Sequence, residues 1–510
     1  MIHEDNKRIA KNTMALYIRM FIGMAVSLYT SRVILEVLGV EDFGVYNVVG
    51  GVVSLFSFLN ASMAGATSRF ITYELGRGSE GNLKSVFNSA LAIHIVVALI
   101  IIVLSETVGL WLLYNKLVIP SNSFTAAFWV FQFSVLGAAV SITQVPYTAD
   151  LIAHEKMGIF ATIDISNICL KLAIVYILIV IPGNKLIDYA LLLLFSNCLI
   201  SFIYRIYCIR HYKETELSYA EVDWKTVLSM CAFSGWDLYG NFSWIGRTQG
   251  VNILVNMFFG AIASAAVGIS NQVQGALTSF SNSITLALKP QIIKSYVVRD
   301  FQRLRLLVYF GSKVTFISLL YITLPLLSQT HYVLSLWLIE VPEYTVEICQ
   351  CIILNILFSC FATVSISGVH ATGDIKGASF INGTVYLLVV PITYIAYKSN
   401  GSIYIPFILN VITVFICGIA NFYYIGRYVE VLSTINYFYS VILRCVFTAG
   451  ICIFVISRLM NFTIGLPDYA NLVLSIIYSL VIVSLFGYYI CLTKTERVNV
   501  LKILRKRLKR

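Results

Sequence analysis

Residues 141–151, SITQVPYTADL, return with changes at residues 365–375, SISGVHATGDI. Aligned without a gap, the copies share Ser141 with Ser365, Ile142 with Ile366, Val145 with Val369, Thr148 with Thr372 and Asp150 with Asp374. Each closes a long apolar run with a polar exit containing Pro or Gly, and a lysine, Lys156 or Lys376, soon follows. A second echo at nearly the same offset sets residues 39–69 against 260–290: a glycine, Gly39 or Gly260, a short connection, an apolar run, then Arg69 or Pro290. One echo is compatible with chance, but two in register, about 220 residues apart, describe a chain of two related halves.

Composition says where such halves live. With 58% hydrophobic and 12% charged residues, the 510-residue chain is no soluble multidomain protein. Its charges cluster between apolar runs of about twenty residues, the length a helix needs to cross the hydrocarbon core. The alternating pattern of an outer-membrane barrel strand is missing. The expected class is therefore an all-α integral membrane protein. A net charge of +11 would in a soluble chain invite nucleic acid, but the basic residues gather in short loops and at the tail, which is a membrane-orientation signal. Nearly all of the eleven cysteines lie in apolar runs, Cys169, Cys198, Cys360 and Cys417 among them, and read as small core residues. The pair Cys349 and Cys351 has the wrong spacing for zinc. The opening MIHEDNKRIAKN lacks the apolar region and cleavage site of a removable signal peptide.

Hydropathy divides the chain into about fourteen spans, near 13–35, 43–66, 86–114, 123–149, 157–182, 186–209, 226–258, 261–288, 306–328, 345–370, 378–397, 402–426, 440–460 and 470–492. Counted over alternate connections, Lys and Arg fall 26 on one side against 4 on the other. That bias places both termini in the cytoplasm of a multi-pass protein. The division expected is an N-terminal lobe at 1–210, a cytoplasmic loop at 211–225, a C-terminal lobe at 226–430, two extra helices at 431–492 and a basic tail at 493–510. No connection exceeds about twenty residues, which leaves no room for a catalytic domain outside the membrane, and no enzymatic activity is expected.

Six basic residues fall inside the spans, and each needs a reason to be there. Arg32, Lys313 and Arg444 lie near helix ends and are expected to snorkel. Arg19, Lys171 and Arg247 lie deeper and either line a wet central cavity or pair with helix neighbours. Asp164 is two turns before Lys171, about 10.5 Å away by helix rise and beyond direct pairing. Asp237 and Arg247 are ten residues apart and differ in azimuth. Three deep cations against two deep carboxylates leave a positive interior that suits an anionic substrate. His94 reads as a neutral core histidine or as a proton sensor. Asp150 and Asp374 read as caps of helix ends or as ion ligands, and Phe128, Trp129, Phe131 and Phe133 as packing residues or a sugar-stacking face. Gly50 and Gly51 invite close helix packing or a bend.

Residues 30–71, TSRVILEVLGVEDFGVYNVVGGVVSLFSFLNASMAGATSRFI, resemble the opening hairpin of polysaccharide-repeat-unit flippases, the Wzx-like branch of the multidrug/oligosaccharidyl-lipid/polysaccharide (MOP) exporter superfamily. Residues 252–273, NILVNMFFGAIASAAVGISNQV, resemble the matching hairpin of the second half, and residues 286–292, LALKPQI, its exit. The resemblance implies a MATE-like fold of two pseudo-symmetric six-helix lobes plus two C-terminal helices. It also implies flipping of an undecaprenyl-diphosphate-linked oligosaccharide, of O-antigen, capsule or lipopolysaccharide type, across a bacterial inner membrane by alternating access. By position, Arg19 and Arg32, with Arg247 in the second half and Lys171, become the substrate-binding candidates; Asp164, Asp237 and His94 are the ion-coupling ones. Lipid-linked oligosaccharide and membrane lipids are the expected partners of a monomer, a polysaccharide polymerase a further one, and nucleic acid none. No cofactor is expected beyond proton or sodium coupling. The alternatives are a cation-coupled multidrug exporter of the same fold and, from another class, an O-antigen polymerase or ligase. Enzymes of that last class resemble one another in a long periplasmic catalytic loop, which this chain lacks.

Overall fold

The computed structural model describes residues 2–76, 82–154, 156–372, 376–429, 431–463 and 465–498. Within these ranges the side chains of 2–22, 24, 219, 236–237, 283, 286–287, 289–291, 293–294 and 297 are outside the description. The described chain is helical almost throughout. Its long helices are α1 (Ile2–Leu55), α2 (Phe58–Gly76), α3 (Leu83–Asn115), α4 (Phe124–Ala153), α5 (Met157–Val180), α6 (Lys185–His211) and α7 (Trp224–Val297). They continue with α8 (Phe301–Ser328), α9 (Thr330–Trp337), α10 (Thr345–Thr372), α11 (Lys376–Lys398), α12 (Ile405–Tyr428), α13 (Thr434–Asn461) and α14 (Asp468–Cys491). Helices satisfy their own backbone groups, which hydrocarbon requires.

Two of these helices are each two helical runs joined without a loop. Gly39 breaks α1 at φ 76°, ψ 170°, and Gly260 breaks α7 at φ 82°, ψ −168°. Both angles fall in the region that only glycine occupies without strain. The run after Gly39 continues into α2 across a 54° bend. Eleven further helices are long and apolar enough to span, α7 being counted once among them. With the bent pair the described residues hold up to twelve candidate spans by length and composition, and the two glycine breaks divide α1 and α7 further, which is compatible with the hydropathy reading of about fourteen.

The chain forms two compact units, Met1–Gly268 and Ile269–Arg510. Contacts therefore divide it inside α7, and the loop at 211–225 belongs wholly to the first unit. In that unit Val45, Val48, Val49 and Val52 recur at i, i+3, i+4 and i+7 and are fully buried against Ala127, Val130 and Phe131 of α4. Each buried valine contributes roughly 1.5–3 kcal/mol, and a charge at Val49 would break the seam. The other face of the unit is apolar and exposed, as with Ile95, Val96, Leu99 and Val103 on α3. Such a surface belongs in lipid. Cys169 and Cys198, expected in the core, are exposed on outward faces, while Cys360 and Cys417 are buried as expected; all eleven cysteines are free. An apolar run next to lipid has an outside that looks like its inside, so periodicity does not separate the two.

The second unit is built around α10 and α12, with Phe316, Phe358, Phe361 and Phe415 packed ring against ring. Its last two helices are hydrogen-bonded to α8 and so belong to this unit. Ser479 donates to the Tyr321 carbonyl at 3.1 Å, the Tyr321 and Ser484 hydroxyls lie 2.8 Å apart, and Ser312 meets Tyr437 at 2.9 Å. Lys313 does not snorkel. Its side chain is fully buried, and its ammonium donates to both oxygens of Glu496, at 3.2 and 2.9 Å. Burial pushes the Glu496 carboxyl up, yet the bonds from Lys313 and from the Thr493 amide outweigh it and hold the group below its ordinary range.

Candidate functional site

Inside the first unit a cavity of about 300 Å³ opens between α1, α2, α3, α4 and α6. Its wall carries the hydroxyls of Ser54, Ser57, Ser134 and Ser141, the amides of Asn60 and Asn197, and the rings of Tyr46 and Phe133. Glycine makes the room. A Cβ on Gly50 would meet nothing within 4 Å, whereas one on neighbouring Gly51 would lie 2.9 Å from Gln249 Oε1 of α7. Gly50 thus faces the void and Gly51 a helix contact. A Cβ on Gly137 would lie 3.4 Å from Asn197 Nδ2. Ser141 donates to the Gly137 carbonyl at 2.9 Å, the back-bond that makes a hydroxyl tolerable in an apolar helix. The wall is uncharged and mixed, with Val53, Ile101, Ile142, Leu193 and Leu194 beside the hydroxyls, amides and rings, a lining that suits a guest with both hydroxyls and apolar faces.

No family model matches the sequence, and no characterised protein matches it significantly. Similarity appears at the level of fold. The inward-facing structure of a multidrug resistance MATE family transporter of the MOP superfamily aligns at TM-score 0.67 and 14% identity, over 82% of this chain and 98% of its own. A MOP superfamily transporter from Pyrococcus furiosus aligns at 0.61 and 15%, over 83% and 96%. The lipid II flippase MurJ, in an inward closed conformation, aligns at 0.71 and 14%, over 93% and 98%. The fold is that of the MOP transporters.

Within this MOP fold the residues singled out from the sequence are scattered. Arg32 on α1 and Lys171 on α5 are exposed, and Arg247 on α7 is buried, at 8% exposure. None of the three lines the cavity. Arg19 and Asp237 lie in helices, and their side chains are outside the described residues. Asp164 is half-buried and accepts a hydrogen bond from the Tyr204 hydroxyl at 3.3 Å. His94 is fully buried, with Nδ1 2.8 Å from the Ala90 carbonyl one turn back. Phe133 reaches the cavity wall; Phe131 is buried in the core and Trp129 is half exposed. Asp150 caps no helix end among the described residues, where neither of its carboxylate oxygens has a hydrogen-bond partner. Asp374 lies outside the described residues.

The hydroxyls and amides of the cavity escaped a reading that weighed ionised groups. A signal was available: Ser54 and Ser57, and Ser134 and Ser141, repeat at helical spacings of three and seven on runs otherwise apolar.

Proposed function

We propose that the protein moves undecaprenyl-diphosphate-linked oligosaccharide repeat units from the cytoplasmic to the periplasmic leaflet of a bacterial inner membrane, by alternating access. The observation that carries this reading is the extent of the structural likeness. A lipid II flippase structure matches over 93% of the chain, against 82–84% for the multidrug transporters. A neutral, hydroxyl-lined cavity with Tyr46 and Phe133 on its wall supports a sugar as part of the cargo, since such guests bind through hydrogen bonds and ring faces. On this reading Arg19, Arg32, Lys171 and Arg247 hold the diphosphate, and Asp164, Asp237 and His94 are candidates for proton or sodium coupling. The flippase has both termini in the cytoplasm and acts as a monomer beside a polysaccharide polymerase.

The test is complementation of a bacterial strain that lacks its own repeat-unit flippase. The wild-type chain restores surface polysaccharide, and joint replacement Arg19→Ala, Lys171→Ala and Arg247→Ala lowers it at least about tenfold, as the loss of charge-assisted bonds to an anion would. Undiminished export by the triple variant sinks the assignment of these residues. Lowered accumulation of cationic drugs without any polysaccharide would instead support the exporter reading, for which the multidrug transporters of the same fold are the supporting observation.

A further inference from the structure

Where α4 ends, three side chains from two stretches of the first unit converge. Asp150 stands in the last turn of α4, His154 is its C-cap, and Glu214 comes from the short turn Lys213–Thr215 after α6. One ligand atom from each lies within 4.8 Å of the other two. His154 Nε2 is 2.7 Å from Glu214 Oε1 and 3.7 Å from Asp150 Oδ1, the second too far for a hydrogen bond. The Asp150 side chain has no exposure, and among the described residues both its oxygens lack a hydrogen-bond partner.

A carboxylate so placed is strongly disfavoured unless a positive charge reaches it. The helix end makes matters worse, because the last turn of α4 directs its carbonyls, and the negative pole of its dipole, toward this spot. Two carboxylates beside a neutral imidazole sum to the charge that one divalent cation cancels. The donor set narrows the ion: magnesium and calcium take oxygen, whereas nitrogen mixed with carboxylate suits zinc and its transition-metal neighbours. The ring of Tyr212 stacks on that of His154, with centroids 4.1 Å apart and planes 6° from parallel. That contact holds the imidazole edge toward the two carboxylates, as a supporting shell does around metal-bound histidines.

We propose that Asp150, His154 and Glu214 form a divalent transition-metal site, which ties the segment after α6 to the end of α4. It shares no residue with the cavity of the first unit and does not depend on what the protein carries. The experiment uses the full chain, purified in detergent, stripped with EDTA and titrated with zinc chloride against a chromophoric chelator, with magnesium chloride as the control. The expected result is one zinc per chain and a zinc-dependent rise in Tm. His154→Phe, which keeps the stack on Tyr212, and Glu214→Gln, which alters a turn outside the helices, each weaken zinc binding by at least about tenfold and abolish the rise. Should either variant unfold, the other carries the test, its fold judged by the Tm of the metal-free form. The proposal is overturned if both variants bind zinc as the wild type does, or if magnesium gives the same rise in Tm. It is equally overturned if the wild type binds no zinc, in which case the trio shares a proton only.

Discussion

The two sequence repeats carry the same glycine turn, whereas the two compact units treat buried charge in opposite ways. Gly39 and Gly260 hold nearly identical backbone angles, and a Cβ on either would meet no atom within 4 Å. What preserves them is backbone conformation alone. Side chains followed another course. The second unit buries Lys313 and brings Glu496 to it; the first buries Asp150 and, among the described residues, gives its carboxylate no hydrogen bond. A duplicated fold therefore retains the positions where only one residue type fits the backbone, and varies the charges, whose partners can come from anywhere in the chain.

Neutralising one carboxylate in each unit tests this contrast most sharply. Glu496→Gln strands a buried ammonium and lowers stability by about 3–5 kcal/mol, the usual result of breaking one side of a buried pair. Asp150→Asn in metal-free protein removes an uncompensated carboxylate and leaves stability unchanged or raises it by up to about 2 kcal/mol. Thermal unfolding in detergent reads both, and a loss for Asp150→Asn comparable to that for Glu496→Gln would break the comparison.

Closer to the turns, the offset of 221 residues that separates Gly39 from Gly260 pairs Gly44 with Ala265 and Asn47 with Gly268. All four meet inside the first unit. A Cβ on Gly44 would lie 2.0 Å from the Ala261 carbonyl oxygen and 3.2 Å from the Ala265 nitrogen, and one on Gly268 would lie 2.6 Å from the Asn47 side chain. One member of each pair is glycine, which lets the two helices touch. Gly44→Ala should cost about 3 kcal/mol, the upper range for overpacking, while Ala265→Gly should cost only about 1 kcal/mol through helix propensity. Equal losses in the two variants would mean that the close approach is relieved by a backbone shift.

The smallest expected difference is between the turns themselves. Gly39→Ala and Gly260→Ala each force an L-residue into glycine-only backbone, at about 1–3 kcal/mol. Because the two backbone conformations nearly match and neither Cβ meets a neighbour, the two losses should agree to within about 0.5 kcal/mol. A clear inequality in their Tm shifts would show that the repeated glycines no longer do the same job.

Much of the fold was legible because membrane helices announce themselves by length and by the charges between them. The echo at 39–69 and 260–290 marked both glycine breaks for the same reason, since an obligatory glycine stays visible when its neighbours change. Charge partners were not legible. Lys313 was read from its own helix, whereas its counter-charge Glu496 lies 183 residues on. Asp150 reads from the sequence as a cap or an ion ligand, and His154, one helical turn later, hints at two ligands on one face; Glu214, 60 residues past His154, completes the group only when α6 folds back. The cavity was missed because neutral serines in apolar helices usually turn their hydroxyls to their own backbone, and Ser141 does so while still facing the void.

Glu496 stands just beyond α14, and Arg497 beside it donates to the Leu492 carbonyl at 3.1 Å. The helical turn that carries Glu496 is thus a plug set against an earlier helix, α8, through Lys313. Shortened versions that stop at the end of α14 would strip that plug and leave an ammonium stranded in the protein interior, whereas a reporter fused after Arg497 leaves it in place.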